Sequence, residues 1–204
     1  MTNRIPTHPA ATRRLLSALA ATAVASAAIF TIGAGNARAA TACADRSAIA
    51  DFKTDDASAA PITAAFKTKD GKSVPLATAA KGTGAVVNLW ATWCLPCVKE
   101  MPSLDRLNAV LAKDGIPVLA VSQDRGGLDR VEPFFAKHGF KNLAISLDPD
   151  GNMAGAFHLR GLPTTVLIDA KGRELGRVEG GVAWDKPAVV SFIRDCLKSA
   201  SAKP

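Results

Sequence analysis

The sequence predicts an α/β domain built on a mixed sheet. Three features carry that reading: an almost unbroken apolar run from Ala85 to Ala91, a helical apolar stripe directly after it, and a turn-bounded pair of strand-like stretches, Thr164 to Asp169 and Arg173 to Glu179. A run apolar at nearly every position suits a strand covered on both faces. Strands alternating with periodic helices mark the α/β class. The 204 residues, 48% hydrophobic and 21% charged, suffice for one sizeable core. One domain is expected over residues 62–200, preceded by an N-terminal segment, residues 40–61.

The first 39 residues differ from the rest. They contain no acid, carry Arg4, Arg13, Arg14 and Arg38, and run apolar and Ala-rich from Leu15 to Ile32. This is an export leader. Small residues at Ala37 and Ala39 would allow cleavage before Ala40, while the length of residues 15–32 would allow a retained membrane anchor. Both alternatives stay open, and both place the domain outside the cytoplasm. Arg13-Arg14 loosely resembles a twin-arginine signal, but two arginines before an apolar run are common in ordinary leaders. The formal charge of +7 minus the four leader arginines leaves +3 from Ala40 onward, which removes support for a nucleic-acid partner.

Past the leader, Cys43 to Phe52 is expected as a short helix and Asp55 to Pro61 as a connection. Ile62 to Phe66 and Val74 to Leu76 flank Asp70-Gly71-Lys72 and should form a hairpin, because Asp-Gly supplies a positive-φ turn. Lys81-Gly82-Thr83-Gly84 breaks the chain before the central strand. Val98, Met101, Leu104, Leu107 and Leu111 then recur at three- and four-residue spacing, predicting a helix from Cys94 to Lys113 with a kink at Pro102. A strand from Ile116 to Ser122, a helix from Leu128 to His138 and a short helix from Met153 to Phe157 follow, bounded by Gly, Pro or Asp. Ala170-Lys171-Gly172 turns the later pair of strands into an antiparallel hairpin, which makes the sheet mixed. The last helix should start near Asp185 as its cap, with Pro187 in the first turn and Val189, Phe192, Ile193, Cys196 and Leu197 on its buried face.

Cys94 and Cys97 stand at the start of the long helix, in WATWCLPC. Two cysteines three apart share one turn there, and the partial positive charge of the helix start favours a thiolate. Cys94, at the helix end, is placed to attack a disulfide as nucleophile, and Cys97, one turn in, to resolve the mixed disulfide. A structural zinc needs four ligands, and no second closely spaced Cys or His pair completes a set. No metal and no cofactor are expected. Trp90 should pack in the core, whereas Trp93 is placed to touch a partner.

The segments VVNLWATWCLPCVKEMPSL and GLPTTVLID, with the order between them, resemble the membrane-linked thioredoxin-like proteins of the TlpA, ResA and CcmG type over residues 62–197. Ser122-Gln123-Asp124-Arg125 and the two outlying cysteines favour the TlpA branch. The resemblance implies a thioredoxin fold with an added N-terminal β-hairpin. It further implies that Pro163 is the cis-proline facing the cysteine pair, that the Leu162 backbone meets an incoming peptide, and that Glu100 tunes thiol ionisation and moves the proton. Thioredoxin itself holds a buried aspartate where this chain has Asn88, so proton handling should shift toward Glu100.

The same resemblance implies a periplasmic protein-disulfide reductase. A membrane electron donor of the DsbD or CcdA type would supply its electrons, and its clients would be apocytochrome c or copper-site assembly proteins. The residues alone establish only that the pair can exchange disulfides, because direction depends on relative potentials. A general oxidase or isomerase, and a copper chaperone using the cysteine pair with a distant histidine, stay open beside it. His138 and His158 sit in no recognisable ligand setting. Cys43 and Cys196 remain; in an oxidising compartment they are expected to pair as a structural disulfide. The alternatives are a free buried thiol at Cys196 and lipid attachment at Cys43, although Ala40-Thr41-Ala42 is a poor lipidation signal.

Overall fold

The structure, a computed structural model, describes Cys43, residues 46–54 and residues 60–201. The expected leader, including residues 15–32, and residues 55–59 of the expected connection lie outside the described residues. Within them the elements run β1 (Lys53–Thr54), β2 (Ala65–Thr68), β3 (Ser73–Pro75), α1 (Leu76–Ala79), β4 (Ala85–Trp90), α2 (Leu95–Leu111), a 3-10 turn (Ala112–Asp114), β5 (Val118–Ser122), α3 (Leu128–His138), β6 (Ser146–Leu147), α4 (Asn152–Ala156), β7 (Thr164–Ile168), β8 (Glu174–Glu179) and α5 (Pro187–Ser201).

The strands form one eight-stranded mixed sheet in the order β1-β8-β7-β4-β5-β6-β2-β3. β4 pairs parallel with β5 and antiparallel with β7, and β5 pairs parallel with β6. All six residues of β4 are buried, as a strand covered on both faces requires. Its period of two divides them. Ala85, Val87 and Leu89 join Leu76, Met153 and Phe157 in one core, while Val86 and Trp90 join Met101, Leu104, Leu107, Ile193 and Leu197 in the other. Asn88 has the parity of Val86 and Trp90, and so faces the layer that contains α2. Gly84, at φ 81°, enters this strand against the Ile168 carbonyl, closer than any side chain could approach.

Two expectations, at the two ends of the domain, are corrected, while the long helix agrees to within a residue at its start. No helix forms among the described residues between Cys43 and Phe52. Two successive turns, with Ile49 N–H donating to the Arg46 carbonyl and Phe52 N–H to the Ile49 carbonyl at 3.0 Å each, drop Ile49 and Phe52 into the core. The Phe52 ring there meets Phe192 edge-on at 5.0 Å, and β1 then adds to β8. The long helix begins at Leu95, with Cys94 as its cap, and runs through Pro102 to Leu111. Asp185 does not cap the last helix: its Oδ2 takes the Arg106 Nε–H at 2.7 Å, and α5 starts at Pro187. A Cys43–Cys196 disulfide, with Cα atoms 4.7 Å apart and both residues wholly buried, ties the N-terminal turns to α5. No helix among the described residues is long and apolar enough to cross a membrane.

Candidate active site

β4 leads the chain out of the core at Trp90, and the next residues are held by a carboxylate. Asp124, buried just after β5, accepts the Thr92 N–H at 2.9 Å, the Thr92 hydroxyl at 2.7 Å and the Ser122 hydroxyl at 2.7 Å. This fixes the approach to Cys94. Cys94 itself is extended, at φ −85° and ψ 101°, and its sulfur accepts the Cys97 N–H at 3.3 Å as the helix cap. Pro96 fits at the start of α2 because its missing N–H would have no partner inside the helix there. Cys94 and Cys97 are joined as a disulfide, Cα atoms 5.2 Å apart. Cys94 keeps 6% exposure and Cys97 none, so solvent and partners reach the first sulfur only.

Opposite the pair lies the loop between α4 and β7. Leu162–Pro163 is a cis peptide, with the Pro163 carbonyl accepting Gly180 N–H at 2.8 Å and the Thr164 hydroxyl donating to the Gly161 carbonyl at 2.8 Å. Arg177 Nη1 donates to the Phe157 carbonyl at 2.8 Å and holds the start of the loop. A groove of about 510 Å³ opens between the two segments, lined by Trp93, Cys94, Pro96, Leu159, Arg160 and Leu162 among others. Trp93, 71% exposed, and Leu95, 65% exposed, flank Cys94 as the most exposed large apolar side chains described. Apolar walls beside a reachable sulfur suit an extended peptide that carries a cysteine.

Behind the pair, α2 turns Glu100 inward, where it is only 4% exposed. Its Oε1 accepts from Asn88 Nδ2 at 2.8 Å, and its Oε2 from Val182 N–H at 3.1 Å and Trp184 Nε1–H at 2.9 Å. Burial pushes the Glu100 carboxyl above its ordinary range, and the three donors, Trp184 first, partly offset it. A buried acid biased toward its neutral form can hold or release one proton beside a reacting pair. A second cleft of about 510 Å³, lined by Lys99, Glu100, Arg106, Gly181 and Asp185 among others, opens beside it between α2 and the 181–185 segment.

Residues 50–173, more than half of the chain, match the AhpC/TSA family. The chain belongs to the AhpC/TSA family. Among curated relatives, thiol-disulfide oxidoreductase ResA of Geobacillus kaustophilus is 37% identical over 92 residues, 45% of this chain and 52% of that protein. ResA of Oceanobacillus iheyensis is 31% identical over 106 residues, 52% of this chain and 54% of that one. The chain thus spans about half the length of the curated relatives it matches. Among solved structures, a thiol:disulfide interchange protein of the thioredoxin family from Chlorobium tepidum is 26% identical with a TM-score of 0.52, covering 67% of this chain and 99% of that one. StoA of Bacillus subtilis, 23% identical with a TM-score of 0.55 over 65% of this chain and 98% of its own, shares the fold. The fold of this AhpC/TSA member is thioredoxin-like: a mixed sheet flanked by helices.

The structure brings Cys94, Trp93 and Leu162 around one groove, with Cys97 buried behind Cys94 in its disulfide, and sets Glu100 one helical turn beyond Cys97. Cys43 and Cys196 pair away from that groove and do not line it. Sequence reading missed Thr165, Val182, Trp184 and Asp124 as partners of the site. Asp124 lay in a run already noted, and two adjacent threonines after Pro163 were visible. Trp184, 84 positions from Glu100, carries no local signal.

Proposed function

We propose that this chain is an extracytoplasmic thiol:disulfide oxidoreductase that reduces protein disulfides through Cys94 and Cys97. One observation carries the reading: a closed pair at a helix start, with only the first sulfur reachable, faces a cis-proline loop across a groove. The names of the ResA relatives and of the interchange-protein neighbour support the same activity. In the reduced enzyme the Cys94 thiolate attacks one sulfur of a client disulfide, forms a mixed disulfide and expels the other client sulfur as a thiolate. Cys97, once deprotonated, attacks the Cys94 sulfur, closes the bond and releases the second client thiolate. The enzyme dithiol is oxidised, the client disulfide is reduced, and the two enzyme protons end on the two client thiols. The helix start stabilises the anionic Cys94 sulfur. Glu100 accepts or returns the proton of Cys97, and Trp93 with the Leu162–Pro163 backbone seats the client strand.

The clients of this reading are cysteine pairs of apocytochrome c or of copper-site assembly proteins in the periplasm. A membrane dithiol donor re-reduces the pair, and residues 15–32 serve as an export signal or a tether. Cys43–Cys196 serves as the structural bridge. The test is reduction of insulin by the dithiol form together with the midpoint potential of the Cys94/Cys97 couple. Insulin reduction and a potential in the reducing range are expected. A strongly oxidising potential, near −120 mV as in dedicated oxidases, would reverse the assigned direction.

A further inference from the structure

Asn88 is the only polar residue in β4, it is wholly buried, and it faces α2. Its two amide hydrogens have separate acceptors: Nδ2 lies 2.8 Å from Glu100 Oε1 and 2.8 Å from the hydroxyl of Thr165, its register partner on β7. Its Oδ1 is one of two buried side-chain polar atoms among the described residues without a hydrogen-bond partner. An orphaned carbonyl in a core is costly, so its position needs a reason.

The reason lies in what surrounds Glu100. All three of its partners are N–H donors, which suits an ionised carboxylate and offers a carboxylic acid proton no acceptor among them. The Val182 backbone N–H and the Trp184 indole N–H can only donate. The Asn88 carboxamide alone can change sign, because a half-turn of its side-chain amide exchanges Nδ2 for Oδ1 in the same place. Thr165 can follow, since a hydroxyl donates as readily as it accepts, and the turned amide leaves Nδ2 in the place that Oδ1 held.

We propose that Asn88 is a positioning residue that follows the proton of Glu100: the ionised carboxylate holds the amide by Nδ2, and uptake of a proton on Oε1 turns the amide so that Oδ1 accepts it. The unpartnered oxygen is then the acceptor waiting for the second state, and Thr165 is the pivot common to both. Protonation is confined to Oε1, because Oε2 is fixed by two groups that cannot accept. The groups that face the carboxyl from β4, β7 and the 180–184 segment are neutral. The charged side chains Lys99, Arg106 and Asp185 line the cleft that opens beside Glu100 between α2 and the 181–185 segment, Asp185 being tied to Arg106. Cys97, one turn back on α2, is in its disulfide. This inference rests on the reading of Glu100 as the proton carrier of the exchange reaction.

The full chain in its oxidised form tests it by NMR. Across a pH titration the Asn88 side-chain amide resonances should move with the midpoint of the Glu100 carboxyl carbon, and in Glu100→Gln they should stay flat. The isosteric Asn88→Asp places two carboxyl groups at hydrogen-bond distance, so that they share one proton; its loss should come at higher pH than the wild-type Glu100 midpoint. Asn88 amide resonances that stay flat through the wild-type Glu100 transition overturn the inference, with no variant needed to fold. The two levels separate. A flat amide with exchange that still depends on Glu100 overturns the amide turn alone, whereas wild-type exchange kinetics in Glu100→Gln overturn the role of Glu100.

Discussion

Replacing Cys43 and Cys196 together by alanine removes the longest cross-link described in the molecule. The bond joins positions 153 apart. Chain entropy places the constraint on an unfolded loop of that length near 5 kcal/mol, and loss of a native bridge typically costs about 2–5 kcal/mol. Both cysteines are wholly buried, so the alanines also leave small voids. The N-terminal turns stay anchored by Ile49, Phe52 and the Phe52–Phe192 ring pair, which keeps the variant folded. A loss of about 2–5 kcal/mol is expected. The Cys94–Cys97 bond closes only three positions, so by the same reasoning its reduction should cost far less. Urea unfolding of the oxidised wild type, the double alanine variant and the Cys94/Cys97-reduced protein measures all three. The double variant should also show a steeper denaturant slope, because its unfolded chain exposes more surface. A loss below about 1 kcal/mol with an unchanged slope would refute the assignment of Cys43–Cys196 as the structural bridge.

Asp124→Ala strands the Thr92 N–H and the Thr92 and Ser122 hydroxyls, and should cost about 2–4 kcal/mol while slowing alkylation of Cys94. Unchanged urea stability would remove Asp124 as the anchor of the Cys94 approach. For Glu100, the native carboxyl is raised above the ordinary glutamate value of 4.5 by burial, so the folded state keeps a proton that the unfolded chain has released. The stability linked to this group is therefore fully present below about pH 4.5 and is lost as pH rises through the native value. Glu100→Gln should flatten that fall in urea stability against pH, and parallel curves for the two proteins would contradict it. Trp93→Ala should leave stability within about 0.5 kcal/mol, as expected of a side chain 71% exposed. It should slow reaction with insulin more than reaction with glutathione disulfide, and equal slowing would remove Trp93 from client binding.

The elements legible in the sequence were those whose signal is local. Every residue of β4 faces a covered layer, so its apolar run could be read directly, and the bounds of α3 follow from Gly127 and Gly139 at its two ends. The cysteine pair was legible because spacing and helix start coincide. Elements decided by distant partners were not. Lys53–Thr54 becomes a strand only because β8 offers it an edge, and the Ser146–Leu147 strand exists between β5 and β2. Asp185 looked like a cap, yet Arg106, 79 positions away, takes its carboxylate. The environment of Glu100 had the same character. Asn88 was conspicuous as an amide in an apolar strand, but Thr165, Val182 and Trp184 reach the site through folding alone.

The central claim, exchange led by Cys94 and resolved by Cys97, is tested most directly by trapping. Cys97→Ser keeps the attacking sulfur and removes the resolving one. Incubated with client disulfides, it should accumulate mixed disulfides that map to Cys94 and are released by dithiothreitol, whereas the additional change Cys94→Ser abolishes them. Cys97→Ser protein that forms no Cys94-linked adduct, while the wild type still reduces insulin, would contradict the account.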